Sequence, residues 1–413
     1  MNVLGSPAVV GDGIHDDTAG LQAVLDSGTA VIHLPQPPAC YVISRTLALH
    51  SGQMLLADRN AVIRLADHAH AHMLTNADHG TLSRGITVQG GVWDGNNAHQ
   101  TCEYHRTRDY QVPFDPARYL GVLMQFNQVE DLRLSGLTLK DPETFGVQLA
   151  NIRRFTVEDL TFDYNLKRTE MDGVHLHGGC CQGRIVNLKG DTNDDMVALN
   201  ADDGWMFEIS RGPITDIQVD GLWSENGYTP VRMLSSGSPI RRVHVSNVYG
   251  TFSRFGLATL SHYDVHPGEP SEFSDIVFDG IFTAKTQSED PDLQWAARRY
   301  PLLSVGPGTL VRSLLINNLL RTEGLDEAPP CIHIGEGARV ERLGISQVSL
   351  VNQAETPLDF LYNEGHIESL SLSNVHCRAE GGEPRGVMVR NAGTIEHQER
   401  HAATSLNLET VDA

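Results

Sequence analysis

The feature that most constrains the fold is a short strand pattern that recurs along the chain. Apolar residues stand at the first and third positions of the pattern. The fifth position is Asn, Asp, Gly or Gln, and an apolar residue follows at the sixth. Start-to-start spacings range from 23 residues, between Leu132 and Phe155, to 38 residues, between Ile276 and Leu314. The nine fifth positions are Gly136, Asp159, Asn187, Gly221, Asn247, Gly280, Asn318, Gln347 and Asn374.

Alternation with a period of two indicates strands with one face inside, and the fixed Gly or polar residue indicates a sharp bend. Each repeat is then one coil of a solenoid, in which strands pair with their equivalents above and below at about 4.8 Å per layer. A β-sandwich has no constant bend residue in phase with its strands. The repeat therefore predicts an all-β, single-domain parallel β-helix.

The two ends of the chain depart from the repeat. In the segment "GDGIHDDTAGLQAVLDSG", apolar residues at helical spacing predict a helix over 18–27, which would cap the open end of the solenoid and cover its strand edge. The last residues, 396–413, lose the pattern. We therefore expect a β-helix domain over 1–395 and a C-terminal tail over 396–413.

Charge and composition narrow the possible partners. The formal net charge of −21 repels polyanions, so we expect neither nucleic acid nor an anionic membrane as partner. No apolar run approaches the roughly 20 residues that span a bilayer, and the N-terminus lacks a signal-peptide pattern. The expected location is cytoplasmic for the chain as given, and secreted or periplasmic if a signal peptide has been removed. The oligomeric state stays open.

Two acidic clusters supply the candidate chemistry. Glu170 and Asp172 lie on one predicted coil, and Asp194 and Asp195 lie at the matching place on the next. Carboxylates stacked one layer apart repel one another, which raises the pKa of at least one of them. One group can then act as an acid and another as a base, although their chemistry is identical. Such a set fits hydrolysis of a glycosidic bond, and clustered oxygens could instead bind calcium. Because strand alternation sends Asp194 and Asp195 to opposite faces, both reach one cleft only if the backbone is irregular just before Met196.

The order of four motifs, "GGVWDGN", "VEDLRLSGLTLKDPETFGVQLANIRRFTVEDLTFD", "EMDG" and "NDDMVALN", resembles the polygalacturonase family, glycoside hydrolase family 28. The resemblance implies a right-handed, pectin-lyase-like β-helix that inverts the anomeric centre without a cofactor or metal. It implies that Asp194 is the general acid, and that Asp172 and Asp195 hold and deprotonate the attacking water. An oligo- or polysaccharide would be the substrate.

Several positions differ from the family pattern. Glu170 replaces the motif asparagine, Arg232 stands where the family has a histidine, and "GLATLS", at 256–261, lacks the cations that grip a uronate. These differences argue against ordinary polygalacturonate and favour a short, branched or neutral saccharide. Arg232 or Arg254 could still bind the carboxylate of an unusual uronoside.

Other possibilities stay open at the level of sequence. His175 and His177 share a strand face beside Asp172, so they either contact substrate or form a buried hydrogen-bonded pair. The candidate substrate contacts are thus Glu170, His175, His177, Arg232 and Arg254. The alternative functions are a β-helical polysaccharide lyase or epimerase and a non-catalytic carbohydrate-binding β-helix.

Overall fold

The computed structural model describes residues 1–6, 8–102, 119–202, 211–254, 271–285, 300–325, 329–380, 386–402, 404–405 and 410–412. The regular secondary structure of these residues is almost entirely parallel strands, with one α-helix and two short 3-10 helices at Val3–Gly5 and Asn97–His99. The chain forms two compact units, Met1–Val197 with Gly204–Arg211 and Ala198–Asp203 with Gly212–Ala413. Each is a stack of parallel strands, and the fold is the predicted right-handed parallel β-helix.

The described residues of the first unit form sixteen strands, all but one of them three to seven residues long. They are β1 (Val31–Leu34), β2 (Tyr41–Ile43), β3 (Leu47–Leu49), β4 (Met54–Ala57), β5 (Val62–Leu65), β6 (Leu74–Asn76), β7 (Ser83–Gln89), β8 (Val92–Asp94), β9 (Met124–Asn127), β10 (Val129–Ser135), β11 (Thr138–Lys140), β12 (Val147–Ala150), β13 (Arg153–Glu158), β14 (Thr161–Asp163), β15 (Val174–His177) and β16 (Cys181–Gly190). Strand β17 (Asp195–Ala201) begins in this unit and ends in the second.

The second unit combines strands of up to 14 residues with strands of two or three residues. They are β18 (Ile214–Gly227), β19 (Thr229–Ser235), β20 (Ile240–Phe252), β21 (Glu272–Lys285), β22 (Leu303–Val305), β23 (Leu310–Glu323), β24 (Ile332–Ile334), β25 (Arg339–Asn352), β26 (Leu361–Asn363), β27 (His366–Ala379), β28 (Val389–Asn391), β29 (Thr394–His401), β30 (Thr404–Ser405) and β31 (Thr410–Asp412). The predicted boundary at 395 and 396 falls inside β29, which pairs in parallel with β27, and the domain and tail limits stay predictions.

The register of the parallel strands places apolar residues of successive coils directly above one another. In the second unit, Val245, Phe278, Ile316, Ile345 and Leu372 are successive partners across five strands. All five side chains are buried. Such columns make one continuous apolar core in which every layer covers the next, so no coil has to bury its inner face alone.

The predicted bends are confirmed at all nine positions. The backbone φ of these residues lies between 52° and 73°, in the left-handed region, where Gly, Asn and Asp are the favoured residues. A second left-handed position was not predicted. It stands five residues before the bend in many coils and is occupied by Asp131, Arg154, Gln182, Asp216, Arg242 and Asp275, a mixed set without a common residue type.

The α-helix α1 covers Thr18–Leu25, two residues shorter than predicted, and buries Leu21, Val24 and Leu25. The Asp17 side chain does not cap it. Instead, the fully buried Asp17 carboxylate accepts hydrogen bonds from the backbone N–H groups of Val10, at 2.6 Å, and Val42, at 3.3 Å, which fixes the N-terminal segment to β2. Within the described ranges, no helix is long and apolar enough to cross a membrane.

Candidate active site

The two acidic clusters lie on successive coils of the first unit. The Gly146 N–H donates to the carbonyl oxygen of Asp172 at 3.0 Å, and the Gly173 N–H donates to that of Asp195 at 2.9 Å. Asp172 and Asp195 therefore hold the same place in adjacent layers, where the chain enters the strand of each coil: Asp172 lies two residues before β15, and Asp195 is the first residue of β17. This is the stacking that the aligned apolar tails predict.

The backbone bends where the sequence requires it. Asn193 and Asp194 form a bend, and β17 begins only at Asp195. The irregular segment lets both carboxylates turn to one side, and one oxygen from each of Asp172, Asp194 and Asp195 lies within 4.8 Å of the others. The expected irregularity before Met196 is thus present, and it brings the three candidate catalytic residues together.

The three carboxyls differ in exposure. Asp172 and Asp195 are 1% and 0% exposed, whereas Asp194 is half-buried. Like charges at this separation in a poorly solvated setting repel strongly, so the cluster favours a bound proton or a bound cation. An all-oxygen set of this kind could hold a hard cation such as calcium or magnesium. The absence of a metal stays an expectation.

Asp172 is held by a stack of rings. Nδ1 of His175 lies 2.9 Å from Oδ2 of Asp172, and the His175 ring stacks between Phe145 and His177, with ring centroids 4.2 Å and 4.7 Å away. His175 and His177 are 3% and 1% exposed. Of the two alternatives, substrate contact and a buried pair, this burial agrees with the second. Through this contact the imidazole of His175 orients the Asp172 carboxylate. Substrate contact by either histidine stays a prediction.

A row of amides extends this network to two earlier strands. Nε2 of Gln148 donates to Nε2 of His177 at 2.9 Å, and Nε2 of Gln125 donates to Oε1 of Gln148 at 2.7 Å. Because Gln125, Gln148 and His175 are register partners on β9, β12 and β15, they form one column. Sequence analysis missed the two glutamines, although the aligned segments "LMQFN" and "GVQLA" place them at matching positions.

The loop that carries Asp172 is anchored from outside the acidic clusters. Nη2 of Arg168 donates to the carbonyl oxygens of Asn97 and Gln100, at 2.6 Å and 3.3 Å, and Nε lies 3.4 Å from Oε1 of Glu143. Burial raises the pKa of the Glu143 carboxyl, and the nearby Arg168 guanidinium partly offsets that effect. The Arg168 side chain thereby fixes the loop from 164 to 173 against the coil below it.

A second support comes from inside the loop. The Tyr164 hydroxyl donates to the carbonyl oxygen of Asp172 at 3.1 Å, and burial keeps the pKa of this phenol well above its usual range. The Met171 N–H donates to Oδ1 of Asn193 at 3.0 Å, which ties the Asp172 loop to the bend before Asp195. The positions of the acids are thus set by several hydrogen bonds that do not involve their carboxylates.

The remaining predicted contacts are spread over both units. Glu170 is half-buried, two residues before Asp172, with a left-handed φ of 63°. Arg232 lies half-buried on β19 of the second unit. In the same unit, Nη1 of Arg254 donates to the Tyr228 hydroxyl at 2.7 Å, and its guanidinium lies 4.1 Å from the Tyr300 ring centroid. Their roles as substrate contacts stay predictions, and the stretch 256–261 lies outside the described residues.

Comparison with known proteins supports the fold. The sequence matches no protein-family model and no curated protein at a significant level. Many solved structures resemble the chain, and three of them show the range. They are a family 28 exopolygalacturonase of Yersinia enterocolitica (15% identity, 94% of this chain and 77% of that chain, TM-score 0.61), the A-module of the mannuronan C-5 epimerase AlgE6 of Azotobacter vinelandii (12%, 99% and 100%, 0.57) and the surface adhesin PfbA of Streptococcus pneumoniae (14%, 99% and 93%, 0.57).

These neighbours differ in what they do, and their identity to this chain is low. The likeness therefore establishes the β-helix and leaves the family 28 interpretation a hypothesis.

Proposed function

We propose that this protein is a glycoside hydrolase that acts on an oligo- or polysaccharide through Asp172, Asp194 and Asp195. The observation that carries the proposal is the convergence of one oxygen from each of these carboxyls within 4.8 Å. The motif resemblance to family 28 and the likeness to exopolygalacturonases support it.

The difference in exposure supports a division of roles. Asp194 is half-buried and is the most exposed of the three, which suits the acid that protonates the leaving group. Asp172 and Asp195 are buried beside each other and accept the proton of the water that attacks the anomeric carbon. His175 keeps the Asp172 carboxylate turned toward that water through its 2.9 Å contact.

The stereochemistry needs a separate test. Inversion is implied by the resemblance, and it ordinarily uses carboxyls about 6.5 to 9.5 Å apart, whereas retaining enzymes use about 5 to 5.5 Å. The 4.8 Å limit here joins one oxygen from each of three carboxyls, so it does not measure the spacing of an acid–base pair and favours neither outcome. Proton NMR of the first anomer released distinguishes the two outcomes. The retaining anomer would refute the inverting mechanism and leave hydrolysis by the same aspartates intact.

Asp194→Asn tests the proposal as a whole. Purified protein is screened against aryl glycosides and pectic, fructan and marine oligosaccharides. We expect the variant to lose about 10²- to 10⁴-fold in turnover, the usual contribution of a general acid. Asp191→Asn, three residues earlier on the same segment, is the matched control and should keep wild-type turnover. Hydrolysis that survives in Asp194→Asn, or an unsaturated product from the wild type, would contradict the assignment.

A further inference from the structure

The outer surface of the second unit has a groove along its line of bends, here called the bend groove. It has a volume of about 470 Å³, within the usual range for ligand sites. One wall carries residues at or before the bend, and the other carries residues that follow it. The walls include Ser246, Asp279 and Asn318 on the first side and Phe282, Leu320 and His376 on the second.

Phe282 and Leu320 of the second wall belong to an apolar stripe that continues beyond the groove, and Ser349 and His376 continue the same column inside it. Trp223, Tyr249 and Phe282 are register partners on β18, β20 and β21, and their rings stack with centroids 5.8 Å and 4.9 Å apart and planes within 12° of parallel. The next partner is Leu320. Trp223 and Leu320 are 39% and 45% exposed, although large apolar side chains of this fold are otherwise mostly inside. Tyr249 and Phe282 between them are half-buried, so three rings and a leucine form a partly exposed band one residue wide.

The bend does not require aromatic residues at these positions. The first unit has an equivalent groove of about 430 Å³ along its own bends. The column that corresponds to the stripe there consists of Thr138, Thr161 and Lys189. Because the same backbone geometry forms with threonine and lysine, the aromatic stripe is a particular feature of the second unit.

The first wall offers hydrogen-bonding groups at the layer spacing. Nδ2 of Asn247 donates to Oδ1 of Asp220 at 2.8 Å, and Nδ2 of Asn318 donates to Oδ1 of Asp279 at 2.6 Å. These bonds join adjacent coils and hold the polar side chains in place before any ligand arrives. The result is a row of polar groups opposite Phe282 and Leu320, with an amide side chain at the bend of four coils and Gly280 at the bend of the fifth.

The charge of the groove selects against acidic ligands. Among the described residues that line it, Asp279 is the one carboxylate and none is Lys or Arg. The protein as a whole carries a formal charge of −21, which also repels anions. A protein partner would require a broader apolar patch than a single-residue stripe. A sugar chain has apolar C–H faces and hydroxyl edges, and an uncharged one fits both walls.

We propose that the bend groove is a binding site for a neutral, linear polysaccharide, separate from the aspartate cluster and independent of the hydrolase proposal. The C–H faces of the sugars pack on the stripe from Phe282 to Leu320, and their hydroxyls bond to the amide wall. The site would hold the protein on its polymer without taking part in bond cleavage.

Affinity electrophoresis tests this proposal with the Asp194→Asn protein, so that hydrolysis cannot remove the polymer. Native gels contain hydroxyethylcellulose, galactomannan, arabinoxylan or polygalacturonate. We expect retardation in at least one neutral gel. The double variant Phe282→Ala/Leu320→Ser should bind at least about tenfold more weakly, because the loss of each contact lowers the affinity by a factor of several. Asn318→Gly removes an amide, keeps the left-handed backbone and should also weaken retardation.

Thr161→Ala in the groove of the first unit is the matched control and should migrate as the parent, and circular dichroism checks that each variant is folded. Three results would overturn the proposal. They are equal mobility in every gel, unchanged retardation of the double variant, and retardation by polygalacturonate alone. A concentration-dependent dimer that the double variant abolishes, without saccharide binding, would assign the stripe to a second copy of the chain. Because the assay scores binding only, its failure leaves the hydrolase proposal untouched.

Discussion

Gly173→Ala probes how the fold positions the acids without altering any of them. Gly173 follows Asp172, and its N–H donates to the carbonyl oxygen of Asp195. A Cβ atom at this position would lie 2.4 Å from the carbonyl oxygen of Met196 and 2.6 Å from Cζ of Phe162. The phenyl ring can rotate away, but the Met196 carbonyl belongs to the backbone of the next coil. The substitution must therefore push apart the two coils that carry the acids.

The size of the displacement follows from these distances. Ordinary contact begins at 3.4 Å, so relief of the 2.4 Å contact requires a shift of up to about 1 Å between Asp172 and the Asp195–Met196 segment. A misplacement of about 1 Å can cost about 10²-fold in rate, because the acid and the water-holding carboxylates no longer meet one substrate. Overpacking of this kind also destabilises a protein by about 1–3 kcal/mol.

Two quantities are measured for each variant. They are the melting temperature and the turnover on a saccharide that the wild type hydrolyses and Asp194→Asn does not. We expect about 10²-fold lower turnover in Gly173→Ala while the protein remains folded at the assay temperature. Gly344→Ala is the control, since its added Cβ would meet only the flexible Cδ2 of Leu315, at 2.8 Å. It should keep full activity. Wild-type turnover in Gly173→Ala would refute the argument that the coil spacing sets the geometry of the acids.

Three further predictions concern stability and anchoring. Burial and the nearby Arg321 lower the pKa of Lys285 well below 10.5, so between the folded and unfolded pKa values the unfolded chain binds more protons and wild-type stability rises with pH toward 10.5. Lys285→Met should therefore raise the melting temperature at pH 7, with a gap that narrows as pH rises; a constant gap would contradict this. Asn374, with φ of 52°, should tolerate Gly, whereas Val should cost about 1–2 kcal/mol in denaturant unfolding. Arg168→Gln should lower turnover about tenfold, since it releases the Asp172 loop, and should also lower the melting temperature, since buried Glu143 loses its neighbouring cation; a melting shift with normal turnover would assign Arg168 to stability alone.

The candidate site was only partly predictable from sequence. The pairing of Asp172 with Asp195 follows from two aligned apolar segments, because in-register coils place matching residues one layer apart. The bend at Asn193 and Asp194 follows from the conflict between strand alternation and a shared cleft. By contrast, the contact of His175 with Asp172 depends on side-chain rotamers, and the pattern left its role open.

The sequence by itself determined the coils, their bends and the alignment of the acids. These features are local: alternation sets which face is inside, and a residue that tolerates a positive φ sets where the chain turns. Only the tertiary structure decided the burial of His175, the anchoring of the Asp172 loop by Arg168, and the aromatic stripe opposite the amides of the bend groove. Each of these depends on side chains from coils far apart in sequence, whose packing and loss of solvent no single repeat specifies.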